Sequence, residues 1–218
     1  ANPIHHLELA LETPDFPVSP GDAVGVLADN PPELVAALLD ATGLSGEQPV
    51  SVDGAPQPLV QALRQHRDLT IPGGRFLEYW AGVSGNAALK EAVDGGTRTQ
   101  RTVLKSHQVL DLLRDYPARP ARPDAEALVN AMRPLQPRLY DIANSLHALD
   151  DELHLTVKRF RYAFNGRLET GIASRYLLDL QPGDSIRLYP HRNARFHLPE
   201  DPELPLVLVA EGTGIAPY

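Results

Sequence analysis

The chain has 218 residues, 43% of them hydrophobic, and a formal net charge of -8 at pH 7. That length can bury a sizeable core as one large or two small domains, and the acidic balance leaves no basic stripe to neutralise phosphates, which excludes nucleic acid as the main partner. The absence of cysteine removes disulfides, thiolate metal sites and a cysteine nucleophile.

Residues 5–12 alternate around Leu7, Leu9 and Leu11, a strand pattern. Pro20-Gly21-Asp22 makes a turn into a second apolar strand over 23–27. The spacing of Leu34, Val35, Leu38 and Leu39 predicts a helix over 32–42, started by Pro31-Pro32 and stopped by Gly43. Helical patterns follow over 58–68, 75–83, 106–114 and 124–133, the last with Asp124 as N-cap and Glu126 in its first turn. Gly95-Gly96-Thr97 and the stretch 119–123 read as solvated connections. Strands return over 138–143, 152–162 and 185–189. The third is fed by a second Pro-Gly-Asp turn at 182–184, and the two matching turns suggest the two edges of one antiparallel barrel.

Three short signals stand in a fixed order in the second half. Arg138 and Tyr140, two apart on a strand, present a guanidinium fork and an aromatic ring to one side. A flat cofactor with a phosphate tail uses both, the fork for a diphosphate and the ring for a planar face. Gly171-Ile172-Ala173-Ser174 precedes a helical pattern that stops at Pro182-Gly183, so free N–H groups would face an anion. Gly212-Thr213-Gly214-Ile215-Ala216-Pro217 lacks the third glycine of a dinucleotide fingerprint. Taken singly, these are also met as a surface arginine, a barrel-rim aromatic and an ordinary helix start. Taken together they read as a flavin site.

Other chemistries find less support. The eight histidines are scattered, with His5-His6 as the only adjacent pair and no H-E-x-x-H, so no metal site is expected. There is no G-x-S-x-G elbow for a serine hydrolase. Asp150-Asp151-Glu152 reads as a solvated turn, and the remaining carboxylates are too dispersed for a glycosidase pair.

The blocks Pro137-Arg138-Leu139-Tyr140-Asp141-Ile142-Ala143-Asn144-Ser145, His154-Leu155-Thr156-Val157, Arg161-Tyr162, Gly171-Ile172-Ala173-Ser174 and Gly212 to Pro217 resemble the FAD domain of NADPH-dependent diflavin reductases. Pro20 to Val26, Asn30-Pro31 and Leu69-Thr70-Ile71 fit as well, and the resemblance covers nearly the whole chain. Cytochrome P450 reductase and the reductase module of nitric oxide synthase share these blocks.

The resemblance implies a mixed α and β fold: an antiparallel, ferredoxin reductase-like FAD-binding β-barrel with an inserted helical connecting domain, ending at the first strand of an α/β NADPH-binding domain. The corresponding segments are 1–30 and 134–203 for the barrel, 31–133 for the insertion and 204–218 for the start of the NADPH-binding domain. It further implies FAD in this segment, with NADPH and FMN for the complete protein, and a flavodoxin-like FMN domain and a hemoprotein subunit as partners; a reducing cytoplasm is expected from the cysteine-free composition. No membrane partner is expected, the longest apolar run being 204–210. A haem acceptor of another kind, or a non-catalytic docking scaffold, are the alternatives.

By position, the resemblance implies that Arg138 and Ser174 bind the diphosphate with the backbone of Gly171, Ile172 and Ala173, while Leu139, Tyr140 and Asp141 contact the flavin, Asp141 near the reacting N5. Thr156, Val157 and Lys158 would fall on the adenine-side or ring-edge strand, Tyr162 would stack on FAD, and Thr70 would approach from the insertion. Gly212, Thr213 and Gly214 would turn beneath the nicotinamide-side phosphates. Four departures stand out. Asp141 replaces the family's serine, and Lys158 replaces a common glycine. Asn2-Pro3-Ile4 runs straight into His5 where the family has a further strand and loop, which implies a missing stretch or a natural deletion. Tyr218 falls at the first strand and turn of the NADPH domain, so residues 1–218 are expected to be part of a longer chain.

Overall fold

A computed structural model describes residues 3–12, 16–118, 122–146, 148–149 and 151–218. In chain order its elements are β1 (Ile4–Ala10), β2 (Ala23–Leu27), α1 (Pro32–Thr42), β3 (Pro49–Val52), β4 (Ala55–Pro58), α2 (Leu59–Gln65), α3 (Gly74–Ser84), α4 (Ala87–Asp94), α5 (Thr97–Ser106), α6 (Val109–Asp115), α7 (Ala125–Ala131), β5 (Arg138–Asp141), β6 (Glu152–Lys158), β7 (Arg161–Phe164), β8 (Arg167–Thr170), α8 (Ile172–Asp179), β9 (Arg187–His191) and a 3-10 turn, Gly212–Ile215. They divide into a unit built from 1–28 and 137–218 and a second unit, Asp29–Gln136.

The second unit is helical apart from the β3–β4 hairpin. Pro32 opens α1, where a missing N–H costs nothing, and Gly43 closes it in the left-handed region at φ 67°. Asn86 caps α4 and Asp124 caps α7 through side-chain oxygens that accept from Leu89 N and Ala127 N. The core gathers Leu38, Leu59, Leu63, Phe76, Leu77, Trp80, Leu112, Leu113 and Leu128. Trp80 buries its ring there while its indole N–H donates to the carbonyls of Leu112 (3.1 Å) and Tyr116 (2.9 Å), so no polar atom is stranded. Entry and exit of the unit meet at one segment. The Asn30 amide donates to Leu63 O and Arg67 O, each at 2.7 Å, and Leu135 N donates to His66 O at 2.9 Å.

In the other unit β1 and β6 form an antiparallel ribbon from Ile4↔Lys158 to Ala10↔Glu152, and the Ile4–His5 junction lies inside this uninterrupted ladder. β2 is the centre of a three-stranded sheet, between β5 and β9. The two assemblies are stitched at an Ile142↔Leu155 bridge. Beside it Asn144 behaves like an extra strand residue, its amide donating to Glu152 O (2.9 Å) and its carbonyl accepting from His154 N (2.8 Å). Val24, Val26, Ile142, Leu153, Leu155, Val157 and Leu177 make the apolar cluster of this unit. The turn before β2 is locked by Asp22, whose carboxylate accepts from Ser19 N (2.9 Å) and Asn193 N (2.8 Å). Burial of Asp22 favours its neutral form, but those hydrogen bonds and His197 outweigh it and hold the carboxyl below its ordinary value.

Several expectations need correction. The strands are antiparallel, but no closed barrel forms among the described residues, because β7 and β8 pair only with each other. The turn-fed strands β2 and β9 are not opposite edges; they are neighbours, with Val26 against Leu188. The pattern over 58–68 contains the last residue of β4 before α2 begins, that over 106–114 splits between α5 and α6, and that over 152–162 divides into β6 and the start of β7. No strand forms over 204–210, which takes part in none of the described sheets. Residues 119–121, Asp150 and Asn2 lie outside the described residues.

Candidate functional site

The site is built outward from β5. Its register sets Arg138 opposite Val26 and Tyr140 opposite Val24, and sets Leu139 opposite Gly25 and Asp141 opposite Ala23. Directly opposed residues share a face, so the expected cofactor residues are divided. Arg138 and Tyr140 lie with the buried valines, and Leu139 and Asp141 lie on the other face. Tyr140 is half-buried against the apolar cluster. Burial pushes its phenol above the ordinary value, with the Arg138 charge opposing. The guanidinium of Arg138 is exposed and has no hydrogen-bond or ion-pair partner among the described residues.

Behind Leu139, Gly25 leaves room for the ring of Tyr189, which lies where a Cβ would be. Tyr189 belongs to none of the sequence motifs. The signal was the glycine inside an otherwise apolar strand, which marks a close approach.

β6 turns its even and odd residues to different faces. Val157 is fully buried with Leu153 and Leu155, so its side chain belongs to the core and its backbone is what remains available. Thr156 and Lys158 lie on the opposite side, with Lys158 exposed. Just beyond, Phe160 is 62% exposed and stacks on Tyr162, ring centroids 5.7 Å apart and planes 26° from parallel. Phe160 also went unnoticed in the sequence, lying outside the Arg161-Tyr162 block.

The start of α8 is bound to this same point. Gly171 N donates to Phe160 O at 2.9 Å, and Ser174 Oγ accepts from Phe160 N at 3.0 Å and donates to Gly171 O at 3.1 Å. Ser174, 6% exposed, thus braces the turn with its hydroxyl. The N–H groups of Ile172 and Ala173 donate to no described residue, which leaves the positive end of α8 open to an anion. At its other end Asp179 accepts from Arg159 (2.8 Å) and Arg175 (3.3 Å). Burial acts to raise the Asp179 pKa, and these two bonds more than offset it.

Gly212, Thr213 and Gly214 form the 3-10 turn, with Gly212 at φ 58°, and this turn lies beside β6. Thr70 belongs to the helical unit, where its hydroxyl donates to Asp68 Oδ1 at 2.7 Å.

A half-buried aromatic strand, an arginine without a partner among the described residues and an open helix start thus stand in one unit, and the chain belongs to the FAD binding domain family, whose model matches residues 2–176. Its relatives define it further. It is 37% identical over 216 residues to the sulfite reductase [NADPH] flavoprotein alpha-component of Shigella dysenteriae serotype 1, covering 99% of this chain and 35% of that protein. To the protein of the same name from Bacillus subtilis it is 38% identical over 217 residues, covering 98% and 36% respectively. The chain therefore spans about a third of the length of the curated relatives it matches. FAD suits the residues present: Arg138 and the Ile172 and Ala173 N–H groups are uncommitted donors for a diphosphate, and Tyr162 and Phe160 offer a ring surface.

Proposed function

We propose that this chain is the FAD-holding module of an NADPH-dependent diflavin reductase of the sulfite reductase flavoprotein kind. In the complete protein electrons would enter as hydride from NADPH and leave singly, through an FMN-carrying flavodoxin-like domain, to a hemoprotein subunit. Bound FAD supplies the conversion between two-electron and one-electron transfer, while the protein orients the ring and sets its surroundings. The family match over residues 2–176 carries this reading.

In it, Arg138 grips the diphosphate with the Gly171, Ile172 and Ala173 backbone, and Ser174 holds that backbone in place. The Tyr140 ring contacts the flavin from the Arg138 face of β5, Leu139 contacts it through its backbone, Asp141, on the other face, reaches its N5 edge at the end of the strand, and Tyr162 covers a ring. Thr156, Val157 and Lys158 line the adenine side or ring edge, Thr70 is a further cofactor residue, and Gly212, Thr213 and Gly214 support the nicotinamide-side phosphates. The strands of the first unit are the wall of the family's barrel, and 204–218 opens the NADPH-binding domain. A cytoplasmic location accords with the cysteine-free composition.

The test is direct. Purified residues 1–218 are expected to be yellow, with one FAD per chain and a flavin absorption spectrum, and to show negligible NADPH-dependent dye reduction. A colourless protein that takes up no FAD would overturn the reading, and robust NADPH oxidation would show the nucleotide site to be misplaced.

A further inference from the structure

The face of the β1–β6 ribbon that carries Thr156 and Lys158 also carries, further along, a cluster of side chains to which the flavin reading gives no role. His6 and Glu8 are two apart on β1, so they share a face, and Glu8 stands directly opposite His154 of β6. Ligand atoms of His6, Glu8 and His154 all lie within 4.8 Å of one another. His6 Nε2 is 3.6 Å from Glu8 Oε1, and the two imidazoles meet edge to face with centroids 4.8 Å apart. A second carboxylate, Glu152, holds His154 Nε2 at 3.1 Å.

We propose that this face is a divalent transition-metal site, with His6, His154 and Glu8 as ligands and Glu152 as the fourth. Two imidazoles and two carboxylates suit Zn²⁺, a borderline-soft ion that takes nitrogen and oxygen at about 2.0–2.2 Å. Tetrahedral geometry at those bond lengths places ligand atoms about 3.3 Å apart, so His6, Glu8 and His154 need only a small contraction, and Glu152 already stands at that distance from His154 Nε2. His6 and Glu8 can make it, because their side chains are 52% and 64% exposed. His154 is the fixed member: its backbone N–H is held by Asn144 and its side chain is 14% exposed.

The ion replaces the proton that His154 shares with Glu152, and that carboxylate becomes available to complete the shell. Four protein ligands leave no open position for water, which makes the site a structural clasp of β1 onto β6 and not a catalytic centre. The proposal does not depend on flavin binding.

Isothermal titration of the purified chain with Zn²⁺ tests it. One ion per chain is expected, with an affinity at least about ten-fold weaker in His6→Gln and in Glu8→Gln. His5→Gln should bind as the parent does, since His5 lies on the opposite face of the same strand. Zn²⁺ should also raise the parent's thermal midpoint, and that rise should vanish in the Glu8→Gln variant, an exposed change that leaves the ribbon's packing intact. Equal affinity in the parent, His6→Gln and Glu8→Gln, or no binding by the parent, would overturn the proposal.

Discussion

Arg138 owes its value to what it lacks. A guanidinium with no partner among the described residues loses little on meeting a diphosphate and gains charge-assisted bonds. Arg138→Ala is expected to weaken FAD binding by roughly ten- to a hundred-fold, about 1.5–3 kcal/mol. Retention of FAD through dialysis at the parent's level would remove the residue from the site. Asp141 differs from a serine by its charge. Unit charges about 4 Å apart interact by roughly 4 kcal/mol at an effective dielectric of 20, and for a two-electron couple about 30 mV corresponds to 1.4 kcal/mol. Removing a negative charge favours the electron-rich reduced ring, so Asp141→Ser should raise the FAD midpoint potential by tens of millivolts. A spectroelectrochemical titration giving the same or a lower midpoint would leave Asp141 without a tuning role.

At the scale of elements, the paired turns separate two causes that usually act together. Gly21 and Gly183 sit at φ 97° and 96°, each preceded by proline and followed by an aspartate that accepts from the residue opening the turn. A side chain is strained at either position. At Gly183 a Cβ would meet open space, whereas at Gly21 it would overlap the carbonyl oxygen of Phe196. Gly183→Ala should therefore cost about 1–2 kcal/mol and Gly21→Ala more than about 3 kcal/mol in urea unfolding. Equal costs would mean that Phe196 yields.

The turns were legible because proline, glycine and aspartate act locally, and α1 was legible because its apolar period and both stops lie within twelve residues. Two further hairpins carried signals that went unread. Asp53-Gly54 and Asn165-Gly166 are both left-handed pairs, at φ 52° and 83° and at 47° and 75°, the geometry such dipeptides favour in tight hairpins. Helix α5 was hidden for a different reason: it follows Gly95-Gly96 and buries no residue, so it shows no apolar stripe to find. The cluster of His6 with His154 could not be seen at all, because only the strand register brings such distant positions together.

In the molecule as a whole the decisive residue is Asn30. It is 1% exposed, and its amide ties the first turn of the helical unit to the carbonyls of Leu63 and Arg67. The far end of the unit returns to the same segment, Leu135 N to His66 O and Asp68 N to Arg133 O. Asn30→Ala leaves those carbonyls unsatisfied and is expected to cost about 2–3 kcal/mol, with faster hydrogen exchange at Val24 and Val26, which it does not touch. Unchanged exchange there would show that the two events are independent.

That coupling follows from chain statistics. β2 and β5 pair like the arms of a hairpin, Val26 against Arg138, yet everything from Asp29 to Gln136 intervenes. Closing so long a loop of flexible chain would oppose the pairing by about 3–4 kcal/mol more than a two-residue turn does. Fastening the two ends of that stretch to one segment, Asn30 to Leu63 and Arg67 and Leu135 to His66, shortens the loop that β2–β5 pairing has to close. The sheet then forms with the entropy of a local contact instead of a distant one.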